Sequence, residues 1–384
     1  MAVKEGRQEN GEKAMDVLDR ARKTIAERGL VDSHAPVVVM VSGGSDSTAL
    51  AYIAHELSLA GDIGPVFMLH VNHQLRGADA DADAAFVAQL AQALSLPLFN
   101  VSSDVAGEAA RTGENLEAAG RRVRYAAAQD ALSNACLQLA VPLSEGRILT
   151  AHTQDDRVEN FYMRSIVGTG PGGFRSMLYR NGPVVRPLLD MSRQDLRDYI
   201  AARAAAEPAQ PVVRDAQGAL WREDATNAHT DRFRSWVRNE IIPLMKERNP
   251  QLLDTLCRSM NLVGDEDDML DAYTARAIDE VVAWEDVDGD DIVDYEAGCV
   301  ILPEFGKLPL PMRRRVAFQV LQYMLGSDAR VETAAVTAIT DAFAADAPRS
   351  GYVNNIQGNL AISANKRGLR IEPMEAYRIR RKRG

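Results

Sequence analysis

Residues 37–50, Val37-Val38-Val39-Met40-Val41-Ser42-Gly43-Gly44-Ser45-Asp46-Ser47-Thr48-Ala49-Leu50, join an apolar, mostly β-branched run to a polar turn with two glycines and then to a helix start. The run predicts a buried strand. The glycines permit a sharp turn and bring backbone N–H groups close to an anion, and the helix start adds unpaired donors at the positive end of its dipole. Ser42, Ser45 and Ser47 add hydroxyls, and Asp46 adds a carboxylate suited to a hard cation such as Mg²⁺. The segment predicts a pyrophosphate cradle. It lacks the Gly-Lys-Ser/Thr ending that serves γ-phosphate chemistry, so the expected event is attack on an α-phosphate with pyrophosphate leaving.

Strand-like runs recur at Val37–Val41, Val66–Val71, Leu96–Val101 and Ile148–Ala151, separated by helical stretches at Thr48–Leu59, Ala78–Leu94 and Glu114–Leu139. This alternation predicts right-handed βαβ units and a parallel sheet, with ligands beyond the carboxyl ends of its strands. Ser42–Ser47, His70–Arg76 and His152–Glu159 all follow strands, so all three are expected on one edge. Residues 11–29 predict a peripheral amphipathic helix. Ser192 begins a helix with Asp195 three residues on, close to a capping box. From Gln251 the pattern becomes helical, residues 351–373 read as small strands, and the last residues read as a disordered basic tail. The expected divisions are a helical extension over 1–34, a catalytic domain over 35–250, a helical and hairpin domain over 251–373 and the tail over 374–384.

Each further cluster carries a plain reading beside a chemical one. His70 and His73 suit nucleotide recognition, a hydrogen-bonded strand end or, without a third ligand at metal spacing, a zinc pair. Glu117, Arg121, Arg122, Arg124 and Tyr125 form either a solvated helix face or a group of arginines stabilising phosphate. In His152-Thr153-Gln154-Asp155-Asp156-Arg157-Val158-Glu159-Asn160, Asp155 suits a helix cap. Asp156 and Glu159, at i and i+3, share one face and suit Mg²⁺ with ATP oxygens, and the cluster also suits proton removal from an amine. Gly168–Gly173 matches a dinucleotide fingerprint in letters but follows a helix and contains Pro171, so NAD binding is rejected and a mobile substrate-facing loop is expected. Trp221, Arg222, Arg232, Phe233, Arg234, Trp236 and Arg238 interleave arginine with aromatic residues, as single-stranded RNA recognition wants; core packing explains Phe233 and Trp236 equally well.

The net charge of −10 is unevenly spread. Residues 264–296 hold 14 acids against one base, Arg276, whereas residues 366–384 carry 8 basic and 2 acidic residues. Local basic surfaces bind phosphates whatever the total, so RNA is not excluded, while the acidic total argues against promiscuous polyanion binding. Three scattered cysteines, Cys136, Cys257 and Cys299, predict neither a disulfide framework nor a Cys-x-x-Cys site. With no apolar leader or membrane-length run, the expected home is the cytoplasm.

The turn at Ser42–Ser47 resembles the PP-loop of the N-type ATP pyrophosphatases. Together with His70–Arg76, Glu117–Tyr125, His152–Glu159, Gly168–Gly173, Arg186–Leu189 and Trp221–Pro243, it resembles the tRNA(Ile)-lysidine synthetase family over roughly residues 35–245. That family usually has Gln where Arg157 stands, Thr for Asn160, Asn for Ser235 and Ala for Gly120. The resemblance implies an α/β, Rossmann-like PP-loop domain followed by a mainly helical domain. It implies a ligase that uses ATP and Mg²⁺ to adenylate O2 of the wobble cytidine in the CAU anticodon of tRNA(Ile). The amine of free L-lysine then attacks C2 and expels AMP. On this reading Ser42, Gly43, Gly44, Ser45, Asp46, Ser47 and His70 bind ATP, and Asp46, Asp156 and Glu159 bind Mg²⁺. Asp46, His152, Asp156, Glu159, Arg121 and Arg124 are catalytic, and Arg76, Arg222, Arg232, Arg234 and Arg238 contact tRNA. The base is left open among His152, Asp155 and Asp156, as is a homodimer. The alternatives are another PP-loop enzyme, such as a tRNA thiolase or an amidotransferase, and a non-catalytic ATP-binding module.

Overall fold

The computed structural model describes residues 17–223, 233–285, 294–326, 329–344 and 346–383. The chain divides into two compact units, residues 1–264 and 265–384.

The first unit is built on a six-stranded sheet. In chain order its elements are α1 (17–27), β1 (Val37–Met40), α2 (Ser45–Ala60), β2 (Val66–Asn72), α3 (Ala78–Ala93), β3 (Leu98–Ser102), α4 (Val105–Thr112), α5 (Leu116–Leu139), β4 (Arg147–Leu149), α6 (Gln154–Val167), β5 (Arg180–Asn181), β6 (Val184–Val185) and α7 (Arg193–Ala205). The strand order is β3-β2-β1-β4-β6-β5. All neighbours run parallel except β5, which pairs antiparallel with β6. The central strand explains the apolar run. Val37 and Val39 pack with α1, α2, α3 and α7, while Val38 packs on the other face with Ala128, Leu132 and Cys136 of α5. All three valines are fully buried, as the middle strand of a helix-covered parallel sheet requires.

Several elements depart from the sequence reading. Helix α1 is not peripheral: Val17, Ala21 and Ile25 form an i, i+4, i+8 stripe buried in the main core. Helix α4 was not anticipated; Asp104 caps it by accepting from the Gly107 N–H at 2.9 Å. The capping box at Ser192 and Asp195 is present in both directions, at 3.1 Å each.

In the second unit, Val353–Ile356, Leu360–Asn365, Gly368–Pro373, Cys299–Ile301 and Val282–Trp284 form, in that spatial order, an antiparallel sheet. Helices Leu310–Leu325 and Thr333–Asp341 share a core with it through Val316, Val320, Ile339, Ile362 and Ile371. The expected disordered tail is instead the helix Met374–Arg383. Arg380 ties it to Glu372 and to Ser363 of the sheet, so charge that looks solvated in sequence has a carboxylate to meet. Among the described residues no helix is long and apolar enough to cross a membrane.

Candidate active site

The carboxyl end of β1 opens the site. Gly43 takes φ +94°, and a Cβ there would lie 3.3 Å from the Arg222 Cγ, so a side chain would be both strained and crowded. Gly44 stands at the N-cap of α2 in extended conformation, with no side-chain cap on the helix start. Hydroxyls hold the turn from within. Ser47 Oγ accepts from the Ser42 N–H at 3.1 Å and donates to the Gly44 carbonyl at 3.1 Å, and Thr48 Oγ1 donates to the Gly43 carbonyl at 3.2 Å. The result is a turn braced by its own hydroxyls, with backbone donors at a helix start, as anion binding requires.

His70, in β2, donates from Nδ1 to the Val41 carbonyl at 2.9 Å. A carbonyl only accepts, so Nε2 is the bare nitrogen; it is buried and has no hydrogen-bond partner among the described residues. Burial pushes the His70 imidazole below its ordinary value. Two further residues of this strand end, Arg76 and Asn72, bond Asp83 at 2.7 Å and Asp81 at 3.1 Å.

After β4, Thr153 rather than Asp155 caps α6. Its Oγ1 and N–H both bond Asp156 Oδ2, at 3.0 and 2.9 Å. Asp155 instead accepts the backbone N–H of Arg193 at 2.8 Å. The other oxygen of Asp156 takes Arg234 Nη2 at 2.7 Å and lies 3.6 Å from Arg193 Nη2. Burial opposes charge on Asp156, but Arg234 and Arg193 outweigh it and hold its carboxyl below the usual range. Asp46 pairs with Arg193 Nε at 3.1 Å, yet burial dominates there and raises its carboxyl. Glu159, 1 % exposed, accepts Arg234 Nε at 2.7 Å and Arg238 Nε and Nη2 at 2.6 and 3.0 Å. His152 Nδ1 lies 3.0 Å from Thr150 Oγ1. Burial, reinforced by Arg186, Arg234 and Arg121, pushes its imidazole down to about 4, against a smaller opposing pull from Asp156.

The structure thus brings Asp46, His152, Asp156 and Glu159 to one sheet edge and adds Arg234 and Arg238 as their counter-ions. The segment carrying these arginines, Phe233–Trp236 followed by Val237–Ile241 and Ile242–Arg248, packs Val237 and Ile242 on Val158 of α6. Arg121 lies over the Tyr125 ring at 4.8 Å on α5, and Arg124 is exposed on the same helix. Arg222 has a different station from the one expected. Its guanidinium pairs with Asp83 and Asp215, each at 2.9 Å, and its N–H donates to the Gly43 carbonyl at 2.8 Å. It braces the turn. Arg232 lies outside the described residues. In the Gly168–Gly173 segment, residues 168–170 carry no regular structure and Pro171 opens a helical turn to Arg175 whose Phe174 packs on Phe161.

The residue that the sequence reading missed is Arg193, in the first turn of α7. A cation there opposes the helix dipole, and that local misfit was the available signal. Arg157, where the resembling family has Gln, is 1 % exposed and pairs with Asp190 at 2.9 Å beside Tyr179.

Residues 15–245 match the family model described as PP-loop domain. The tRNA(Ile)-lysidine synthase of Symbiobacterium thermophilum is 32% identical over 321 residues, 82% of this chain and 60% of that protein. That of Thermus thermophilus is 36% identical over 237 residues, 62% of this chain and 41% of that protein. Among solved structures, the U34-tRNA thiolase NcsA from Methanococcus maripaludis matches at 16% identity and a TM-score of 0.47, covering 66% of this chain and 80% of its own. The chain spans about three fifths of the length of the curated relatives first matched. With the family model matched from α1 to the arginine segment, and the strand–turn–helix cradle at its centre, this chain belongs to the PP-loop domain family.

Proposed function

We propose that this chain is an ATP-dependent RNA-modifying ligase that joins L-lysine to C2 of the wobble cytidine in the CAU anticodon of tRNA(Ile), releasing pyrophosphate and then AMP. The observation that carries the reading is the uncapped turn Ser42–Ser47, set within one ion-pair network of Asp156. The similarity to tRNA(Ile)-lysidine synthases supports the choice of nucleic acid and amine.

Backbone N–H groups at the start of α2, with the Ser42 and Ser45 hydroxyls, hold the two phosphates that leave, and Asp46 lies beside them. Asp46 and Asp156 fit a magnesium ion, because Mg²⁺ uses one or two carboxylates plus substrate oxygens and these two already share one guanidinium. Glu159 fits poorly, since both of its oxygens are taken by arginines; its assigned role is to seat Arg234 and Arg238. When bound, the ion offsets charge developing on pyrophosphate.

Attack by the cytidine O2 on the α-phosphate turns a poor leaving group into AMP. Exposed Arg121 and Arg124 on α5 are the assigned phosphate or anticodon contacts, and the bare His70 Nε2 accepts a hydrogen bond from the nucleotide. His152, with its imidazole at about 4, is neutral at pH 7. Protonating it from a lysine ammonium of ordinary pKa near 10.4 would cost about 9 kcal/mol, so it orients substrate by hydrogen bonding. The amine's proton leaves after C–N bond formation has begun and passes to solvent, because Asp156, held below the usual carboxylate range by Arg234 and Arg193, is no better an acceptor than His152.

Incubation with ATP, lysine and a tRNA(Ile) transcript, followed by mass analysis of the anticodon nucleoside, tests the reading. The expected product is cytidine plus lysine minus water, with pyrophosphate release that needs both the tRNA and the amino acid. Asp46→Asn should abolish that release in a folded protein. Release indifferent to tRNA and lysine would refute the function.

A further inference from the structure

Among the described residues, Arg193 is the one side chain that joins the carboxylates of the two loops. Asp46 lies in the first turn of α2 after β1, and Asp156 in the first turn of α6 after β4. The Arg193 guanidinium spans them, with Nε 3.1 Å from Asp46 and Nη2 3.6 Å from Asp156, while its backbone N–H is fixed by Asp155 at 2.8 Å. Asp156 also holds Arg234, at 2.7 Å; that second arginine is shared with Glu159 rather than with Asp46. So a cation already stands between the two carboxylates, and it belongs to the chain. A guanidinium and a hydrated divalent ion cannot fill the same position. The backbone anchor and the long stem separate two functions, since the main chain can stay on Asp155 while the head moves. The side chain is 24% exposed, so it has an open side toward which to turn.

We propose that Arg193 is an internal counter-ion that occupies the divalent-cation position between Asp46 and Asp156 in the nucleotide-free chain and gives way when the ion arrives with the triphosphate. This rests on the assignment of those two carboxylates to the metal. The consequence is selectivity: free divalent ions are refused, and metal and nucleotide enter together. Removing the guanidinium leaves a carboxylate pair that no longer needs ATP in order to bind a divalent ion.

The test is Mn²⁺ binding without nucleotide, followed by the loss of the free-ion electron paramagnetic resonance signal. The wild-type chain should bind Mn²⁺ weakly. Arg193→Gln, which keeps a polar end on a shorter stem and removes charge, should bind it about tenfold more tightly or better, because a unit charge has left the immediate surroundings of both carboxylates. The gain should vanish in the double variant Arg193→Gln/Asp46→Asn. Unchanged Mn²⁺ affinity in a folded Arg193→Gln chain overturns the proposal, as does a gain that survives the loss of the Asp46 charge. If Arg193→Gln does not fold, Arg193→Lys serves: its single ammonium cannot span both carboxylates, so it should show a smaller gain, and wild-type affinity there overturns the proposal. Because the readout is ion binding, a gain in a chain that makes no lysidine would sink the functional reading alone. Lysidine synthesis with no gain would sink this inference alone.

Discussion

Replacing Glu159 with Gln separates an anchor from a metal ligand. Glu159 is 1 % exposed and takes three charged N–H donors at 2.6 to 3.0 Å from Arg234 and Arg238. Breaking one side of a fully buried ion pair typically costs about 3–5 kcal/mol, mostly by stranding the partner's charge. Here the stranded guanidiniums are 41% and 26% exposed, so water recovers part of that loss. The glutamine oxygen still accepts one bond, while its amide turns two donors toward a guanidinium. A destabilisation of about 2 kcal/mol follows, or roughly 4–8 °C in the midpoint for a unit of this size. Val237 and Ile242 pack on Val158 directly beside this pair, so the Phe233–Arg248 segment should loosen with it. Circular dichroism melting of the nucleotide-free protein measures the midpoint, and Mn²⁺ titration with ATP measures the metal. The anchor reading requires a lowered midpoint with Mn²⁺ affinity in the nucleotide complex largely kept. An unchanged midpoint with lost Mn²⁺ would make Glu159 a ligand and refute the reasoning.

Two further variants test neighbouring assignments. In the folded chain His152 binds its proton near pH 4, and in the unfolded chain near 6.5, so between these values the unfolded chain holds more protons and stability falls as pH drops. The loss from this group should reach about 2 kcal/mol by pH 5; urea unfolding of wild type and His152→Gln at pH 7 and pH 5 checks it, and equal losses in both proteins would refute it. Arg222→Ala should weaken ATP binding by detaching the Ala219–Arg222 strand of chain from Gly43, yet leave the salt dependence of tRNA binding unchanged. A salt slope reduced by about one unit would instead return Arg222 to an RNA phosphate.

The parts of the fold that sequence conveys are those fixed by local chemistry and chain topology. The apolar run of β1 and the glycines after it have few other uses, and three motifs that each follow a parallel strand must meet at one edge. Helix α4 was passed over because its eight residues are short for a helix and include Gly107, although Val105 and Ala109, four apart, mark one buried face; Asp104 marks its start. Strands β5 and β6 have two residues each, too few for any alternation. Helix α1 was misjudged because its polar faces outnumber the stripe of Val17, Ala21 and Ile25 that buries it. In each case the missing information was tertiary.

The arginines show why site residues were harder to assign than elements. A guanidinium serves a phosphate or a carboxylate with the same fork of donors, so spacing alone could not say which of them Arg222, Arg234 and Arg238 would meet. What sequence did hold was local misfit. Arg193 stands where a helix dipole repels it, and Arg157 faces inward from α6 onto Asp190, at a position where the resembling family has an uncharged Gln. Residues that local rules disfavour must be held by something distant, and functional sites collect them. The balance of charge then follows. Asp46, Asp155, Asp156 and Glu159 face Arg193, Arg234 and Arg238, four carboxylates against three guanidiniums, with each guanidinium bonded to at least one of them. An isolated cation must displace a guanidinium, and an isolated triphosphate must draw one away from a carboxylate. On the proposed reading the two arrive together and exchange partners, the ion taking the carboxylates and the triphosphate taking the guanidinium that they release.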